Sequence, residues 1–312
     1  MRSKVSIIGA GMVGGTCAQR IAERRYADVI LVDIVEGLPQ GKALDILESA
    51  PILGFDSRII GANSYEETAN SDVVVITSGS PRKPGMSRDD LVLTNMKIIQ
   101  EVCARVVQHS PDCIIIMVTN PVDAMVQLAL HETKFARTKL FGQSGILDTT
   151  RFRAFIAQEL DVSVENVSAC VLGEHGTTMV PLPRLCTVGG IPITELLSKE
   201  KIDSIIQRTV KGGDEIVSLL KGGSAFYAPS AAVAEMVDAI ILDKKKILPC
   251  ATYLEGEYGM NGVVIGVPVK LGKNGIEQII ELELTPEEDA ALKNSASAVR
   301  EMVNIICPER AN

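Results

Sequence analysis

Short apolar runs alternate with longer segments of helical spacing through the first 142 residues of the chain. Short runs rich in Val and Ile are typical of strands buried on both faces of a parallel sheet. The segments between them carry apolar residues every three or four positions, as helices covering such a sheet do. The predicted strands span residues 4–8, 29–33, 57–60, 72–77, 113–118 and 140–142, and the predicted helices span 12–25, 37–50, 89–109 and 122–132. Alternation of this kind predicts an α/β fold with a doubly wound parallel sheet.

The second half of the chain follows a different pattern. Its predicted helices span residues 146–160, 194–221 with a break near 212–213, 229–243 and 285–306, and its predicted strands span 167–172, 250–254, 263–271 and 276–282. Thr285 and Glu288 form a capping box at the start of the last helix. We therefore predict two domains, a doubly wound α/β domain at residues 1–142 and an α+β domain at residues 143–312.

Composition narrows the class of protein. Hydrophobic residues make up 46% and charged residues 22%, as in ordinary globular proteins. No apolar run is long enough for a membrane span, and the N-terminal run is too rich in glycine for a signal peptide. A net charge of −8 argues against a nucleic-acid surface. The seven cysteines contain no CxxC pair, which indicates reduced thiols in the cytoplasm and no zinc site.

A glycine loop follows the first predicted strand. Gly9, Gly11 and Gly14 form a G-x-G-x-x-G that opens a helix, and Asp33 ends the next strand. In this context the glycines allow a tight turn, close approach of a pyrophosphate and close packing of helix on sheet. The helix N-terminus attracts the phosphates, and Asp33 would accept hydrogen bonds from ribose hydroxyls. A carboxylate there repels a 2′-phosphate, so the sequence favours NAD over NADP. We therefore predict that residues 1–142 form a Rossmann-type NAD-binding domain and that residues 143–312 form the substrate domain.

Other polar residues follow the strands in the same way. The loop after Thr77 carries Arg82 and Arg88, and Asn120 follows the strand at 113–118. Ligands of doubly wound sheets bind beyond the carboxyl ends of the strands. These loops are therefore expected at the same edge of the sheet as the glycine loop, although a cation in a polar loop is by itself more often simply solvated.

One of only three histidines, His175, lies between Gly173 and Gly176 after a predicted strand. Imidazole titrates near neutrality and is the common proton donor and acceptor of enzymes. A lone histidine in a turn is more often structural. Asp148 and Arg151 share one face near the start of a helix, where the simplest interpretation is an exposed ion pair.

Together these motifs resemble the lactate/malate dehydrogenase superfamily over essentially the whole chain, and most closely its lactate-dehydrogenase-like malate branch. The motifs are the glycine loop 9–14, Asp33, the loop 81–88, Thr119-Asn120-Pro121, Leu147-Asp148-Thr149-Thr150-Arg151 and Gly173-Glu174-His175-Gly176. The resemblance implies reversible oxidation of (S)-malate to oxaloacetate with NAD, a reaction of the tricarboxylic acid cycle.

The resemblance also implies roles for individual residues. His175 would exchange a proton with the substrate, and Asp148 would orient the ring and stabilise imidazolium. Arg151 would bind the C1 carboxylate through its guanidinium fork. Arg88 would polarise the carbonyl, and Asn120 would orient the substrate beside the nicotinamide. The cofactor would contact Gly9, Gly11, Met12, Val13, Gly14, Asp33, Asn95, Val118 and Asn120.

Arg82 is the predicted substrate selector. In this family the corresponding position is glutamine-like in lactate enzymes and arginine in malate enzymes. Oxaloacetate offers a second carboxylate to this cation, whereas pyruvate would leave it desolvated and unpaired. The loop 79–88 is expected to close over the substrate. Two residues depart from the pattern of the malate branch: Glu174 stands where that branch has a glycine, and Thr177 stands where it has an acid. A carboxylate beside the imidazole of His175 would raise the pKa of the imidazole.

Two alternatives remain open. One is a lactate or other 2-hydroxy-acid dehydrogenase, which Glu174 favours and Arg82 disfavours. The other is a non-catalytic NAD-binding protein, which would not need Asp148, Arg151 and His175 together. The expected partners are a small dicarboxylate and further copies of the chain, in a homodimer or homotetramer, with no nucleic acid, membrane or metal.

Overall fold

A computed structural model describes residues 2–80 and 88–306, without the side chains of residues 88 and 89. The strands are β1 Ser3–Ile8, β2 Ala27–Val32, β3 Ile59–Ala62, β4 Val73–Ile76, β5 Ile114–Met117, β6 Leu140–Gln143, β7 Val167–Ser168, β8 Val171–Leu172, β9 Val180–Pro181, β10 Thr187–Val188, β11 Ile191–Pro192, β12 Lys246–Glu255, β13 Asn261–Gly272 and β14 Gly275–Ile279. The α-helices are α1 Met12–Glu23, α2 Leu38–Leu53, α3 Arg88–His109, α4 Val122–Thr133, α5 Gly145–Leu160, α6 Ile193–Leu196, α7 Lys199–Val210, α8 Gly212–Leu220, α9 Tyr227–Ile241 and α10 Pro286–Ile306.

Six parallel strands from the first half of the chain lie in the order β3-β2-β1-β4-β5-β6. This is the 3-2-1-4-5-6 order of a doubly wound dinucleotide-binding sheet, and it confirms the predicted fold class. The four residues of β4 and of β5 are all buried, as expected for strands covered on both faces. The chain order reverses at β1, so the loops after β1 and β4 face the same crevice.

The second half of the chain extends this sheet. Strand β12 pairs antiparallel with β6, where Cys250 lies opposite Gln143, and β13 and β14 continue outward. The result is a sheet of nine strands, in which the antiparallel part belongs to the predicted α+β region. The loop after β8 meets this sheet at Gly266 of β13 and reaches Asp123, which follows β5.

Several predicted element boundaries were wrong, and two of them concern the elements around the site. Helix α2 was expected to end before Pro51, but it continues to Leu53 and ends at Gly54, whose φ is +70°. Pro51 removes one backbone hydrogen bond and crowds the carbonyl one turn back, but it lies in the last turn, so little of the helix is disturbed. The predicted strand at 167–172 is two separate strands, because β7 pairs with β10 and β8 pairs with β9.

The last helix begins as predicted. Thr285 Oγ1 accepts a hydrogen bond from Glu288 N, and the Glu288 carboxylate accepts one from Thr285 N. This reciprocal pair satisfies two N–H groups that a helix start leaves free. Helix α10 then packs on α3, α4 and β13. Within the described residues, none of the helices is both long and apolar enough to cross a membrane.

Candidate active site

The glycine loop after β1 is a tight turn with no space for side chains at two positions. Gly9 has φ +108°, and a Cβ there would lie 2.7 Å from Ser78 N. A Cβ on Gly14 would lie 1.8 Å from Gly9 O, well inside van der Waals contact. Thr77 Oγ1 donates a 3.0 Å hydrogen bond to Gly9 O and joins this turn to the end of β4. The local backbone therefore requires glycine where the motif has it.

Gly11 differs from these two glycines, because a Cβ there would meet no atom within 4 Å. Helix α1 begins at Met12 without a side-chain cap and without an acid in its first turn. Free N–H groups at a helix start beside open space suit an anion such as a pyrophosphate. Lys42 of α2 adds a cation, since its Nζ donates a 2.9 Å hydrogen bond to Gly11 O. These residues fit the phosphates of a dinucleotide.

The Asp33 carboxylate is held at the end of β2 by two backbone donors. Oδ2 accepts from Ala10 N at 2.7 Å, and Oδ1 accepts from Val35 N at 2.9 Å. Each carboxylate oxygen has a second lone pair, so both can still accept from a ribose diol. The side chain is only half-buried and is thus accessible to a ligand.

Asn95 was predicted to contact the cofactor, but its buried amide bonds to two loops of the protein. Its Oδ1 accepts from Ser80 N at 2.8 Å, and its Nδ2 donates to Asn120 O at 2.7 Å. This side chain therefore fixes the backbone after β4 to the backbone after β5. Asn120 itself is exposed at the carboxyl end of β5, and Val118 is half-buried beside it.

A histidine–aspartate pair lies at the centre of the site. Nδ1 of His175 lies 2.8 Å from Oδ2 of Asp148, and the side chains are 14% and 1% exposed. A carboxylate accepts hydrogen bonds, so the proton of the neutral ring lies on Nδ1. Nε2 is then the nitrogen that can exchange a proton with a ligand. The pair joins helix α5 to the loop after β8.

The charge of this pair depends on two opposing effects. Burial lowers the pKa of His175, whereas the negative charge of Asp148 and the hydrogen bond to it raise that pKa, and the net change is upward. Asp148 therefore favours the protonated imidazolium near neutral pH. This is the ionisation state that can donate a proton to a developing alkoxide.

Arg151 lies beside this pair and has unused hydrogen-bonding capacity. Its Nη1 is 3.5 Å from Oδ1 of Asp148, its side chain is 13% exposed, and its buried Nε has no hydrogen-bond partner among the described residues. A Cβ on Gly212 would lie 3.1 Å from Arg151 Cδ, so the start of α8 packs against the arginine stem. Burial lowers the pKa of the guanidinium, which Asp148 and Asp214 oppose. A mostly buried guanidinium beside the imidazole suits a carboxylate ligand.

Two glycines bring the histidine loop against the large sheet. Gly173 and Gly266 of β13 exchange backbone hydrogen bonds of 2.9 and 3.1 Å. Gly173 has φ +91°, and a Cβ there would lie 2.9 Å from Ser295 Oγ. The Glu174 carboxylate accepts from the Thr178 hydroxyl, and Glu174 N donates to Ser295 Oγ at 2.8 Å. Glu174 thus anchors the loop to α10, and in the described residues it makes no hydrogen bond to the imidazole.

The structure thus brings together His175, Asp148 and Arg151, while the glycine loop and Asn120 follow β1 and β5 of the neighbouring sheet. Arg82 and the Arg88 side chain lie outside the described residues. Sequence reasoning missed two residues, Lys42 and Asp123. Asp123 accepts a 3.0 Å hydrogen bond from His175 N. Its position in Asn120-Pro121-Val122-Asp123 gave no signal of a contact with a residue 52 positions later.

A doubly wound sheet with this glycine loop defines a dinucleotide-binding protein, and the His175–Asp148 pair adds proton transfer. The chain belongs to the lactate/malate dehydrogenase family. The model of its NAD binding domain matches residues 3–142, and the model of its alpha/beta C-terminal domain matches residues 146–307. The cofactor of the family is thus NAD, in agreement with the prediction from Asp33.

Named relatives agree with this family assignment. The chain is 59% identical to the malate dehydrogenase of Thermomicrobium roseum over 97% of this chain and 98% of that one. It is 56% identical to that of Roseiflexus castenholzii over 96% and 97%. The apo malate dehydrogenase of Picrophilus torridus has a TM-score of 0.96 at 48% identity, covering 98% of both chains. A lactate dehydrogenase from Cryptosporidium parvum, solved with lactic acid and the nicotinamide dinucleotide, has a TM-score of 0.95 at 39% identity, covering 100% and 99%.

Two single-methyl substitutions in the glycine loop are expected to act differently. Gly14→Ala introduces a clash with Gly9 O and should lower the free energy of unfolding by about 1–3 kcal/mol. Gly11→Ala meets no protein atom and should leave stability unchanged, while weakening NADH binding by at least about tenfold. Thermal unfolding and NADH fluorescence titration measure the two effects. Full NADH affinity in Gly11→Ala would contradict this position for the pyrophosphate.

Proposed function

We propose that this protein is an NAD-dependent malate dehydrogenase that oxidises (S)-malate reversibly to oxaloacetate. The relatives named malate dehydrogenase, at 55–59% identity over nearly the whole chain, support this activity. The observation that carries the proposal is the buried His175–Asp148 pair beside the guanidinium of Arg151, whose side chain is 13% exposed. These groups can hold a 2-oxo acid by its carboxylate and protonate its carbonyl oxygen.

The protein groups perform the proton transfer. Bound NADH would supply a hydride to the carbonyl carbon, so negative charge develops on the carbonyl oxygen. His175 donates a proton to that oxygen, and Asp148 stabilises the imidazolium before transfer. In the oxidation direction the neutral ring accepts the proton of the hydroxyl. Reduction therefore requires His175 below its pKa, and oxidation requires it above its pKa.

The remaining groups bind and orient the substrate in this proposal. Arg151 binds the C1 carboxylate, Arg88 polarises the carbonyl, and Asn120 orients the substrate. Arg82 binds the second carboxylate of oxaloacetate. The glycine loop, Lys42 and Asp33 hold the cofactor, and Asn95 positions the Asn120 backbone. The guanidinium of Arg151, which lies 3.5 Å from the Asp148 carboxylate and belongs to a side chain that is 13% exposed, supports the first of these contacts.

A direct test follows NADH absorbance with oxaloacetate and, separately, with pyruvate. We expect oxaloacetate to be reduced with a kcat/KM roughly 10³-fold or more above that for pyruvate, because pyruvate leaves a cation unpaired. A preference for pyruvate would favour the lactate alternative. NADH binding without turnover of either acid would favour the non-catalytic alternative.

Arg151→Lys is expected to lower kcat/KM for oxaloacetate by about 10²- to 10³-fold. An ammonium cannot reproduce the bidentate fork, and it leaves a buried charge imperfectly paired. NADH binding, measured by fluorescence, should stay unchanged. Arg153→Lys is the matched control, because Arg153 lies on the same helix and donates to the carbonyls of Val164 and Val167. Equal losses in the two variants would contradict the assignment.

We further propose that the protein is a cytoplasmic homodimer or homotetramer. Exposed apolar residues of α2 support self-association, namely Leu44, Leu47, Ile52 and Leu53, with Ile52 88% exposed. The six cysteines of the described residues are free thiols, which agrees with a reducing compartment. Light scattering should give a multiple of 33.4 kDa for the wild type. A lower mass is expected for Leu47→Glu, and a wild-type monomer at micromolar concentration would refute the assembly.

A further inference from the structure

Asp123 connects the NAD-binding half of the chain to the histidine. It lies in the first turn of α4, three residues after Asn120, and is 1% exposed. Its Oδ2 accepts the 3.0 Å hydrogen bond from His175 N. Asp148 contacts the ring of His175, so the backbone and the ring of one residue are each held by a different buried carboxylate.

The second oxygen of Asp123 makes no hydrogen bond. Oδ1 is buried and has no partner among the described residues. A buried carboxylate oxygen without a donor costs free energy and is seldom kept in a core without a reason. One oxygen of Asp123 is enough to accept the hydrogen bond from His175 N. The negative charge of this buried carboxylate therefore needs a separate explanation.

The charged groups around Asp123 belong to two elements. His175 and Glu174 come from the loop after β8, and Asp148 comes from α5. Arg151, also on α5, lowers the pKa of the imidazole through its positive charge. His175 is thus the basic group that both Asp123 and Asp148 influence, and its protonation would offset the charge of these carboxylates.

We propose that Asp123 is a positioning residue for His175. Its carboxylate holds the backbone N–H of His175, and its charge acts with that of Asp148 to stabilise imidazolium. The inference rests on the proposed function, in which His175 must carry a proton to reduce oxaloacetate. Asp123 touches neither substrate nor ring in this account and acts only through His175.

The ionisation of Asp123 supports this coupling. Burial raises the pKa of its carboxyl to about 7, against the hydrogen bond from His175 N and the charge of His175, which lower it. The charge of each group therefore affects the ionisation of the other. Each proton that His175 gains makes the negative charge of Asp123 more favourable.

Two variants separate the hydrogen bond from the charge. Asp123→Asn keeps an acceptor for His175 N but is neutral, whereas Asp123→Ala removes both. In Asp123→Asn we expect the pH limb of oxaloacetate reduction to move down by about half a pH unit. Direct pairing with a charge typically shifts a pKa by roughly one to three units, and Asp123 contacts the backbone of His175 only. In Asp123→Ala, kcat should be lower by roughly 10- to 100-fold, because the backbone of His175 is no longer held and its ring loses its position.

The pKa of His175 is a readout that needs no turnover. The chain has three histidines, so nitrogen NMR of histidine-labelled protein resolves them, with His109 and His131 as internal references. We expect the pKa of His175 to fall in Asp123→Asn and to stay unchanged in Asp203→Asn, which alters an exposed aspartate of α7. If Asp123 has only a structural role, its replacement changes thermal stability and leaves the pKa of His175 unchanged. That result would overturn the proposal.

The wild-type protein offers a test should the variants fail to fold. Coupling to Asp123 predicts that the titration curve of His175 is broader than a single ionisation, with the departure centred near pH 7. A curve that fits a single ionisation contradicts the proposal. Reduction of oxaloacetate by the wild type is measured separately, so failure of the proposed function is distinguished from failure of this coupling.

Discussion

Replacing Asp148 with Asn is expected to lower kcat by about 10⁴-fold with little change in NADH binding. An aspartate paired with a catalytic histidine fixes the tautomer and stabilises imidazolium, and asparagine in such a pair leaves the geometry while removing both effects. Here the carboxylate is 1% exposed and lies 2.8 Å from Nδ1 of His175, so solvent does not screen the pair. The raised pKa of His175 depends on this carboxylate.

The same substitution has a defined pH signature. Without the Asp148 carboxylate, the effect of burial remains and lowers the pKa of His175. As pH rises, the variant should therefore lose its activity in oxaloacetate reduction at a lower pH than the wild type. Asp161→Asn is the control, because Asp161 is the exposed C-cap of the same helix, with φ +53°, and asparagine tolerates this conformation. Steady-state kinetics across pH measures both variants. Near wild-type kcat in Asp148→Asn would remove this aspartate from the mechanism.

Arg82→Gln is expected to change the ratio of kcat/KM for oxaloacetate over pyruvate by roughly 10⁴-fold. Arginine gives the second carboxylate of oxaloacetate a charge partner, and a closed site makes that pairing strong. With pyruvate the same cation has no partner and must be desolvated, at a cost of several kcal/mol. Glutamine removes both the attraction for the second carboxylate of oxaloacetate and the desolvation penalty with pyruvate. We therefore expect kcat/KM to fall for oxaloacetate and to rise for pyruvate.

The control for this change is Arg58→Gln. Arg58 is exposed and immediately precedes β3, at the amino end of the strand, whereas the site lies at the carboxyl ends. Competition between the two keto acids for limiting NADH, followed by chromatography of the products, gives the ratio directly. A ratio that stays at the wild-type value would place substrate selection in another residue.

Local patterns predicted the first half of the fold. Buried strands and the glycine loop are specified over short stretches, since Gly9 and Gly14 clash with neighbouring backbone as soon as a Cβ is added. The alternation of β1 to β6 with helices predicted the parallel sheet but not the order of its strands, because doubly wound sheets occur in more than one order. The addition of β12 to this sheet could not be predicted, because the pairing of Cys250 with Gln143 joins residues far apart in sequence.

The site was harder to predict than the fold. Asp148 and His175 are 27 residues apart, and only the resemblance to a family indicated that they pair. Asp123 and Lys42 act through backbone atoms of His175 and Gly11, and such contacts have no sequence motif. Asn95 shows the opposite case, because its amide fixes two loops of the protein where a cofactor contact was predicted.

Transfer of deuterium from labelled NADH tests the central claim most directly. Protein incubated with oxaloacetate and NADH deuterated at the transferable C4 position should yield malate with one deuterium at C2, detected by mass spectrometry. The Asp148→Asn protein, which retains the NAD site, should form the same product about 10⁴-fold more slowly. Protein that binds the labelled cofactor yet forms no deuterated malate, or that labels lactate from pyruvate more rapidly, would contradict the account.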